Sequence, residues 1–143
     1  MNAALGNMVG YHLRRASVQD MAGAVAVLRP AGARPITVSV LLCIVETPGI
    51  TSAQICRVLG MQRANIVQFL ADLEARNLFI READPQDQRV HRLFATKEGE
   101  EAARDWLDRL RLHEDRMLRN LSADERAELR RLLELVWSED DED

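Results

Sequence analysis

Hydrophobic residues recur every three to four positions through most of this chain, which is the spacing of one face of an α-helix. The pattern predicts a long helix over residues 8–28, which ends before Pro30 because a proline ring disfavours continuation. It predicts another from about Lys97 to Asn120, and a third that opens at a capping box between Ser122 and Glu125. The apolar positions of these helices are Val9, Leu13, Ala16, Met21, Val25 and Leu28; Ala103, Trp106, Leu107, Leu110, Met117 and Leu121; and Leu129, Leu132, Leu133 and Val136.

Two shorter helices are predicted in the middle of the chain. Thr51 and Gln54 have the spacing of a capping box, and Gly60 supplies the left-handed residue that ends a helix in a tight turn. A second helix over residues 62–76 places Ile66, Phe69, Leu70 and Leu73 on one apolar face. A short capped helix, a glycine turn and an amphipathic helix together predict a helix-turn-helix.

A strand pair follows the second of these helices. Asn77 tolerates left-handed geometry and would end the helix, after which residues 78–81 read as a strand. A polar turn with a proline follows at 84–88, and residues 89–94 read as the returning strand. The prediction is a two-stranded wing with Arg89 just past its tip.

The second short helix carries the side chains suited to reading DNA. Asn65 and Gln68 share its exposed face with Ala64 and Ala71, and an amide can make a bidentate pair of hydrogen bonds to adenine in the major groove. Arg63, at the helix start, is better placed for a phosphate. The alternative is an ordinary amphipathic helix whose solvent face is short and polar.

The wing arginine suits the minor groove, where a narrow groove concentrates negative potential. The alternative is that Asp87 and Arg89 merely brace the hairpin, although a carboxylate that orients the guanidinium is compatible with both roles.

A helix N-terminus with hydroxyl side chains, such as that at Thr51 and Ser52, binds phosphate readily. The predicted DNA-binding residues are Thr51, Ser52, Arg63, Ala64, Asn65, Gln68, Arg89 and Arg92.

Three motifs give the chain its resemblance to the MarR family of winged-helix transcriptional regulators. Residues 73–78 (LEARNL) resemble the family's helix-to-wing junction, residues 84–89 (DPQDQR) its wing signature, and residues 96–99 (TKEG) the entry into the following helix. The resemblance implies a mainly α fold with a small β-hairpin wing (α+β). Many members have an acidic residue, arginine and serine or threonine where this chain has Gln62 to Asn65, and often a basic residue where it has Gln68, so contact chemistry should shift toward amide readout.

In the family, the first and last helices of two chains interleave. The resemblance therefore implies a homodimer with dimerisation helices in 1–34 and 97–137, a winged-helix DNA-binding lobe over 35–96, and an acidic tail at 138–143. Two recognition helices about one turn of DNA apart predict a pseudo-palindromic operator on double-stranded DNA. Residues 35–45 are rich in β-branched residues and favour a strand by propensity, whereas the resemblance implies a helix that starts near Thr37 and stops before Pro48.

MarR-like regulators commonly bind a small aromatic ligand and then lose affinity for DNA. Tyr11, His12, Arg14 and Arg15 cluster at the start of the first long helix, and residues 10–17 (GYHLRRAS) are similar to a branch that answers to hydroxycinnamoyl-coenzyme A compounds. The expected ligand is a small anionic aromatic compound or its CoA thioester. The alternative is that the arginines bond the partner chain or phosphate and that the tyrosine is a core residue.

The distribution of charge along the chain is more informative than the net charge. The net charge is −4, but residues 139–143 are five consecutive acids, so the remainder is slightly positive. Between Gln54 and Lys97 there are seven basic and five acidic residues. This modest excess predicts moderate salt dependence and reliance on two copies per operator. We interpret the acidic run as a solvated end.

Composition limits the remaining classes of function. The 143 residues are 47% hydrophobic, which suits one domain with a real core. The two cysteines, Cys43 and Cys56, fit small core positions. The absence of a signal peptide or a long apolar run predicts a cytoplasmic protein without a membrane partner. His12, His91 and His113 make no metal set. No catalytic motif or cofactor site is recognisable, so we do not expect an enzyme, and the alternative function is a helical interaction module that does not bind DNA.

Overall fold

The computed structural model describes residues 3–138 and is mainly α-helical with one two-stranded hairpin, which is the predicted fold class. The elements in chain order are α1 (Ala3–Gly6), α2 (Val9–Leu28) followed by a 3₁₀ turn (Arg29–Ala31), α3 (Pro35–Glu46), α4 (Ser52–Leu59), α5 (Arg63–Ala75), β1 (Phe79–Ala83), β2 (His91–Ala95), α6 (Lys97–Met117) and α7 (Ala123–Trp137). The acidic run at 139–143 lies outside the described residues. Helix α1 is short and carried no apolar pattern that predicted it.

Helix α3 lies at the centre of the core. Its Val38, Val40, Leu41 and Ile44 side chains are fully buried, because α2, α4, α5, α6 and β2 all pack against this one helix. The β-branched composition of the segment therefore reflects burial on nearly all sides and not strand formation, since tertiary packing overrides local propensity. The same core continues into Leu28, Ile55, Ile66, Leu70, Leu73, Phe79, Leu93, Ala103 and Trp106.

The start of α3 corrects one detail of the prediction. Thr37 was expected near the N-cap, but the helix begins at Pro35 and its N-cap is Arg34. Proline at the first helical position is favourable because its fixed φ suits the helix and its missing N–H is not needed there. Thr37 is instead buried inside the first turn, where its Oγ1 accepts from the Arg34 N–H at 3.1 Å and donates to the Arg34 carbonyl at 2.8 Å.

The wing strands begin one to two residues later than the sequence predicts. They pair antiparallel, with Phe79 opposite Ala95 and Ala83 opposite His91. Arg89 was placed in the returning strand, but it lies in the turn, because the Val90 N–H bonds back to the Asp87 carbonyl at 2.9 Å and tightens the tip. The wing therefore projects the arginine from its tip and not from its edge.

Hydrogen bonds on two sides fasten the wing to the rest of the protein. On the side of the helix-turn-helix, the Leu93 N–H donates to the Ile50 carbonyl at 2.9 Å, forming an isolated β-bridge ahead of α4. On the side of α6, the Thr96 N–H donates to the Leu78 carbonyl at 3.1 Å, and Thr96 Oγ1 caps the helix by accepting from the Gly99 N–H at 3.0 Å. A Cβ at Gly99 would overlap the Leu78 carbonyl, so the first turn of α6 sits directly on the start of the wing.

Across residues 3–138, no single helix has both the length and the apolarity to cross a membrane. One bent pair, Val9–Ala31 with Pro35–Glu46 at 73°, reaches that threshold jointly, by length and composition alone.

Candidate nucleic-acid interface

The start of α4 is built by the predicted capping box. Thr51 Oγ1 accepts from the Gln54 N–H at 3.2 Å, and Gln54 Oε1 accepts from the Thr51 N–H at 2.9 Å. Gly60 ends the helix with φ of 64°, in the left-handed conformation that was predicted for it. The box satisfies two backbone donors, and the hydroxyl-bearing end of α4 is half-buried beside the wing.

Helix α5 has one buried and one exposed face, as its periodicity predicts. Ile66, Leu70 and Leu73 are buried, while Ala64, Asn65, Gln68 and Ala71 are exposed. Val67 is also exposed, at 64% of its surface, although it was not among the predicted contacts. Asn77, with φ of 58°, ends this region in the predicted left-handed conformation and turns the chain into the wing.

Asp84 organises the turn of the wing. Its Oδ1 accepts from the Gln86 N–H at 2.8 Å and the Asp87 N–H at 3.3 Å, and its Oδ2 accepts from Arg92 Nε at 2.7 Å. These bonds, first that from the Gln86 backbone and then that from the Arg92 side chain, lower the pKa of Asp84. Arg92 also donates to the Gly49 carbonyl at 3.1 Å, so it braces the wing from inside, and its contact with DNA stays a prediction.

Arg89 extends from the wing tip into solvent. Its Nε donates to Asp87 Oδ1 at 3.1 Å and its Nη2 to Oδ2 at 3.3 Å, which lowers the pKa of Asp87. The side chain nevertheless remains 92% exposed. The bracing pair that the sequence offered as an alternative is thus present, and it aims the guanidinium outward without covering it.

A cleft of about 300 Å³ lies between the start of α4, the start of α5 and the wing. It is lined by Thr51, Ser52, Ala53, Arg63, Arg81, Arg89, Val90, His91 and Leu93. The lining combines three arginines, two hydroxyl residues and a helix N-terminus, groups that are chemically suited to phosphate oxygens.

Four of the eight predicted contacts therefore share one site. Thr51, Ser52, Arg63 and Arg89 line the cleft, whereas the exposed α5 residues lie beside it and Arg92 lies within the wing. Sequence reasoning missed Arg81, which pairs with Glu74 of α5 and joins the recognition helix to the wing. Its position in the strand directly after that helix was the available signal.

The cluster predicted to hold a ligand forms the first turns of α2. The rings of Tyr11 and His12 meet edge to face with centroids 5.2 Å apart, and His12 Nε2 donates to the Gly6 carbonyl at 2.8 Å. Arg14 and Arg15 are exposed, and among residues 3–138 neither has a side-chain hydrogen bond or an ion pair. These four residues lie outside the cleft described above.

A buried histidine joins the two long helices and was missed by the sequence reasoning. His113 of α6 donates from Nε2 to Asp20 Oδ1 of α2 at 3.0 Å, and its ring occupies the space that Gly23 leaves open. Its polar side chain at an apolar position of the α6 pattern was the signal available.

Large apolar side chains remain exposed on the terminal helices. On α1 and α2, and in the turn between them, they are Leu5, Met8, Val9, Leu13, Val18 and Met21, and on α7 they are Leu129, Leu132, Leu135, Val136 and Trp137. No residue of α7, all of which the structure describes, is buried. Arg126 ties α7 to the end of α6 through bonds to Asp115 Oδ1 at 2.7 Å and to the Leu118 carbonyl at 3.3 Å.

Comparisons with known proteins relate the whole chain to transcriptional regulators. The profile of the MarR family matches residues 32–90. The solved structure of the transcriptional repressor CouR bound to a 23-mer DNA duplex superimposes with a TM-score of 0.90 at 30% identity, covering 96% of this chain and 98% of that one. CouR from Rhodococcus jostii RHA1 bound to p-coumaroyl-CoA gives a TM-score of 0.84 at 26% identity, with 94% and 95% covered. A protein from Thauera aromatica that is named as a transcriptional regulatory protein for the hcr operon is 28% identical over an alignment of 144 positions that covers 99% of this chain and 86% of that protein.

Proposed function

Since this chain belongs to the MarR family of transcriptional regulators, which are not enzymes, we propose that it is a dimeric repressor released from DNA by a small ligand. It binds a pseudo-palindromic operator and releases the operator when an anionic aromatic compound or its CoA thioester binds. The genes that it controls would then handle aromatic compounds. The observation that carries the DNA-binding half of this proposal is the cleft between α4, α5 and the wing.

The cleft supports DNA binding because its chemistry suits both the backbone and a groove. Arg63, Arg81 and the N-terminus of α4 would hold phosphates, while Arg89 at the wing tip would enter the minor groove. Asn65 and Gln68 on the exposed face of α5 would contact base edges in the major groove. The structure of CouR on a DNA duplex has the same fold over nearly the whole chain.

The exposed apolar faces of α2 and α7 support the dimer. Water contact with so many large hydrophobic side chains is unfavourable, and a second copy of the same helices would cover them. A two-fold arrangement also presents two α5 helices to one duplex, which suits an operator with two half-sites. Two copies of the slightly positive DNA-binding lobe would then contact the same duplex.

Binding to DNA is tested on the intergenic DNA upstream of the chain's own gene, with an unrelated duplex as reference, across a series of salt concentrations. We expect selective, salt-sensitive binding that weakens by about 1–3 kcal/mol in Arg89→Ala. Arg111→Ala is the matched control, because Arg111 is also an exposed arginine paired with an aspartate, Asp108, but lies on α6. Its affinity should stay close to wild type.

Equal and weak binding to both duplexes, unchanged by Arg89→Ala, would contradict the proposal. The protein-interaction module of the same fold would then become the better description. Loss of affinity in Arg111→Ala as large as in Arg89→Ala would show that net charge matters and the wing tip does not.

The ligand half of the proposal rests on the cluster at the start of α2 and on the CouR structure that contains p-coumaroyl-CoA. Tyr11 and His12 offer aromatic and hydrogen-bonding surfaces, and Arg14 and Arg15 offer unpaired cations for a carboxylate or phosphate. The relative named for the hcr operon aligns over 99% of this chain, a span that includes the segment carrying this cluster.

Induction is tested by adding p-coumaroyl-CoA to the protein–operator complex, with p-coumarate and coenzyme A alone as matched ligands. We expect the thioester to release DNA from wild type, whereas Arg15→Ala should keep its DNA affinity and no longer respond. If Arg15→Ala is released at the same ligand concentration as wild type, the assigned ligand site is wrong.

A further inference from the structure

Val67 is the largest apolar side chain exposed on the recognition helix α5. It is 64% exposed and lies one turn after Arg63, which lines the cleft, and one turn before Ala71. At 100° per residue it shares the outward surface of the helix with Ala64 and Gln68, whereas Ile66 and Leu70 point into the core.

Neither the packing nor the helix explains a valine at this position. The core gains little from a side chain that keeps two thirds of its surface in water. A β-branched residue also lowers helix stability relative to alanine, and alanine occupies the neighbouring positions 64 and 71. Its isopropyl group is therefore available for contact with another molecule.

We propose that Val67 reads thymine in the operator through the C5-methyl group. That methyl is the apolar group which the bases present in the major groove, and apolar side chains contact it there. The small side chains of Ala64 and Ala71 let the helix backbone approach closely enough for the contact. This inference rests on the proposed DNA-binding function.

The same reasoning predicts the composition of the half-site beneath α5. Asn65 and Gln68 carry amides, which favour adenine, and Val67 carries an isopropyl group, which favours thymine. The side chains along the exposed face thus favour A·T pairs over G·C pairs, and they do so without an arginine reaching for guanine.

The experiment uses the full chain and duplexes selected by it from a random library. Each thymine of a selected half-site is replaced in turn by deoxyuridine, which keeps the base pairing and removes only the methyl group. The dissociation constant is measured for wild type, Val67→Ala and Val58→Ala. Val58 is the matched control, because it is a valine of equal exposure, 64%, that lies on α4 in a different surface groove with Thr47 and Arg57.

At one or more thymines, deoxyuridine should weaken wild-type binding about fourfold, the expected effect of one buried methyl group. Val67→Ala should bind the thymine duplex about fourfold more weakly and should lose nothing further with deoxyuridine at that position. Such a double-mutant cycle identifies the pair in contact. Val58→Ala should respond like wild type, and Val67→Ala should fold at least as stably, since alanine favours the helix.

Equal loss with deoxyuridine in wild type and Val67→Ala would overturn the inference, because the methyl group would then be read by another residue. Wild type that ignores deoxyuridine at every thymine would overturn it as well. If no duplex is selected and binding is weak on all sequences, the proposed function itself fails, and this inference fails with it.

Discussion

Asp84 shows how one side chain determines the conformation of the wing. It accepts two backbone N–H groups of its own turn and one guanidinium from the returning strand, so the loop, β2 and the segment before α4 are joined through Asp84 and Arg92. The sequence marks this turn by its proline and acidic residues, and the position of the wing was predicted from them. The two bonds of Arg92 were not predictable, because they depend on how the hairpin lies against Gly49.

The lowered pKa of Asp84 has a consequence for stability. Its ionised form contributes stability that is fully present above the pKa of an unfolded aspartate, about 4, and is lost as the pH falls through the lower pKa of the folded state. We therefore expect Asp84→Asn to lower stability at pH 7 and to flatten the decline in stability below about pH 4. Urea unfolding across this range measures it, and an unchanged pH profile would contradict it.

Helix ends that carry capping side chains or left-handed residues were predictable, whereas the start of α3 was not. The boxes at Thr51 and Ser122 and the left-handed residues Gly60 and Asn77 all lie where the sequence placed them. In helix α3 the polar signal, Thr37, lies inside the first turn and not at the cap, and the β-branched residues favour a strand until the buried surroundings of the helix are known. Periodicity indicates that a helix has an apolar face, but it does not say which neighbour that face will meet.

The packing of α2 on α6 gives a prediction that depends on which neighbour a helix face meets. Gly23 faces the buried ring of His113, so a methyl group there would overlap the ring or break its bond to Asp20. We expect Gly23→Ala to lower the free energy of unfolding by about 1–3 kcal/mol. Gly10→Ala is the matched control in the same helix, because among residues 3–138 no atom outside the local helix backbone lies within 4 Å of the added carbon.

Gly10→Ala should leave stability unchanged or raise it by up to about 1 kcal/mol, since alanine is the better helix former. Both variants are measured by chemical denaturation. Equal effects at positions 10 and 23 would show that the His113 ring does not fill the space beside Gly23.

At the scale of the whole molecule, the chain has one hydrophobic core, and large apolar side chains remain exposed on α2 and α7. The amphipathic patterns of α2 and α7 were visible in the sequence, but only the fold shows that their apolar side chains stay exposed in a single chain. The cleft likewise could not be located from the sequence alone, because Arg63, Arg81 and Arg89 come from three separate elements. Spacing along the chain identified residues of the right chemistry, and folding decided which of them meet.

The exposed face of α7 gives a prediction about the proposed dimer. Leu132→Glu would place one buried charge per protomer in a symmetric interface, so we expect the dissociation constant of the dimer to rise at least about 100-fold. Sedimentation equilibrium measures it, and operator affinity should fall in parallel. Val58→Glu, an equally drastic change on α4, should leave the protein dimeric, and dimerisation of Leu132→Glu at wild-type concentrations would contradict the prediction.

The contact between Gly99 and Leu78 has a mechanical consequence. Because the first turn of α6 rests on the backbone at the root of the wing, with no side chain between them, we expect α6 and the wing to move as one rigid lever. A small tilt of α6 on α2 is then carried to the tip of that lever and enlarged on the way. In the proposed dimer, induction would then require no unfolding of the winged-helix lobe, only a change in the distance between the two lobes.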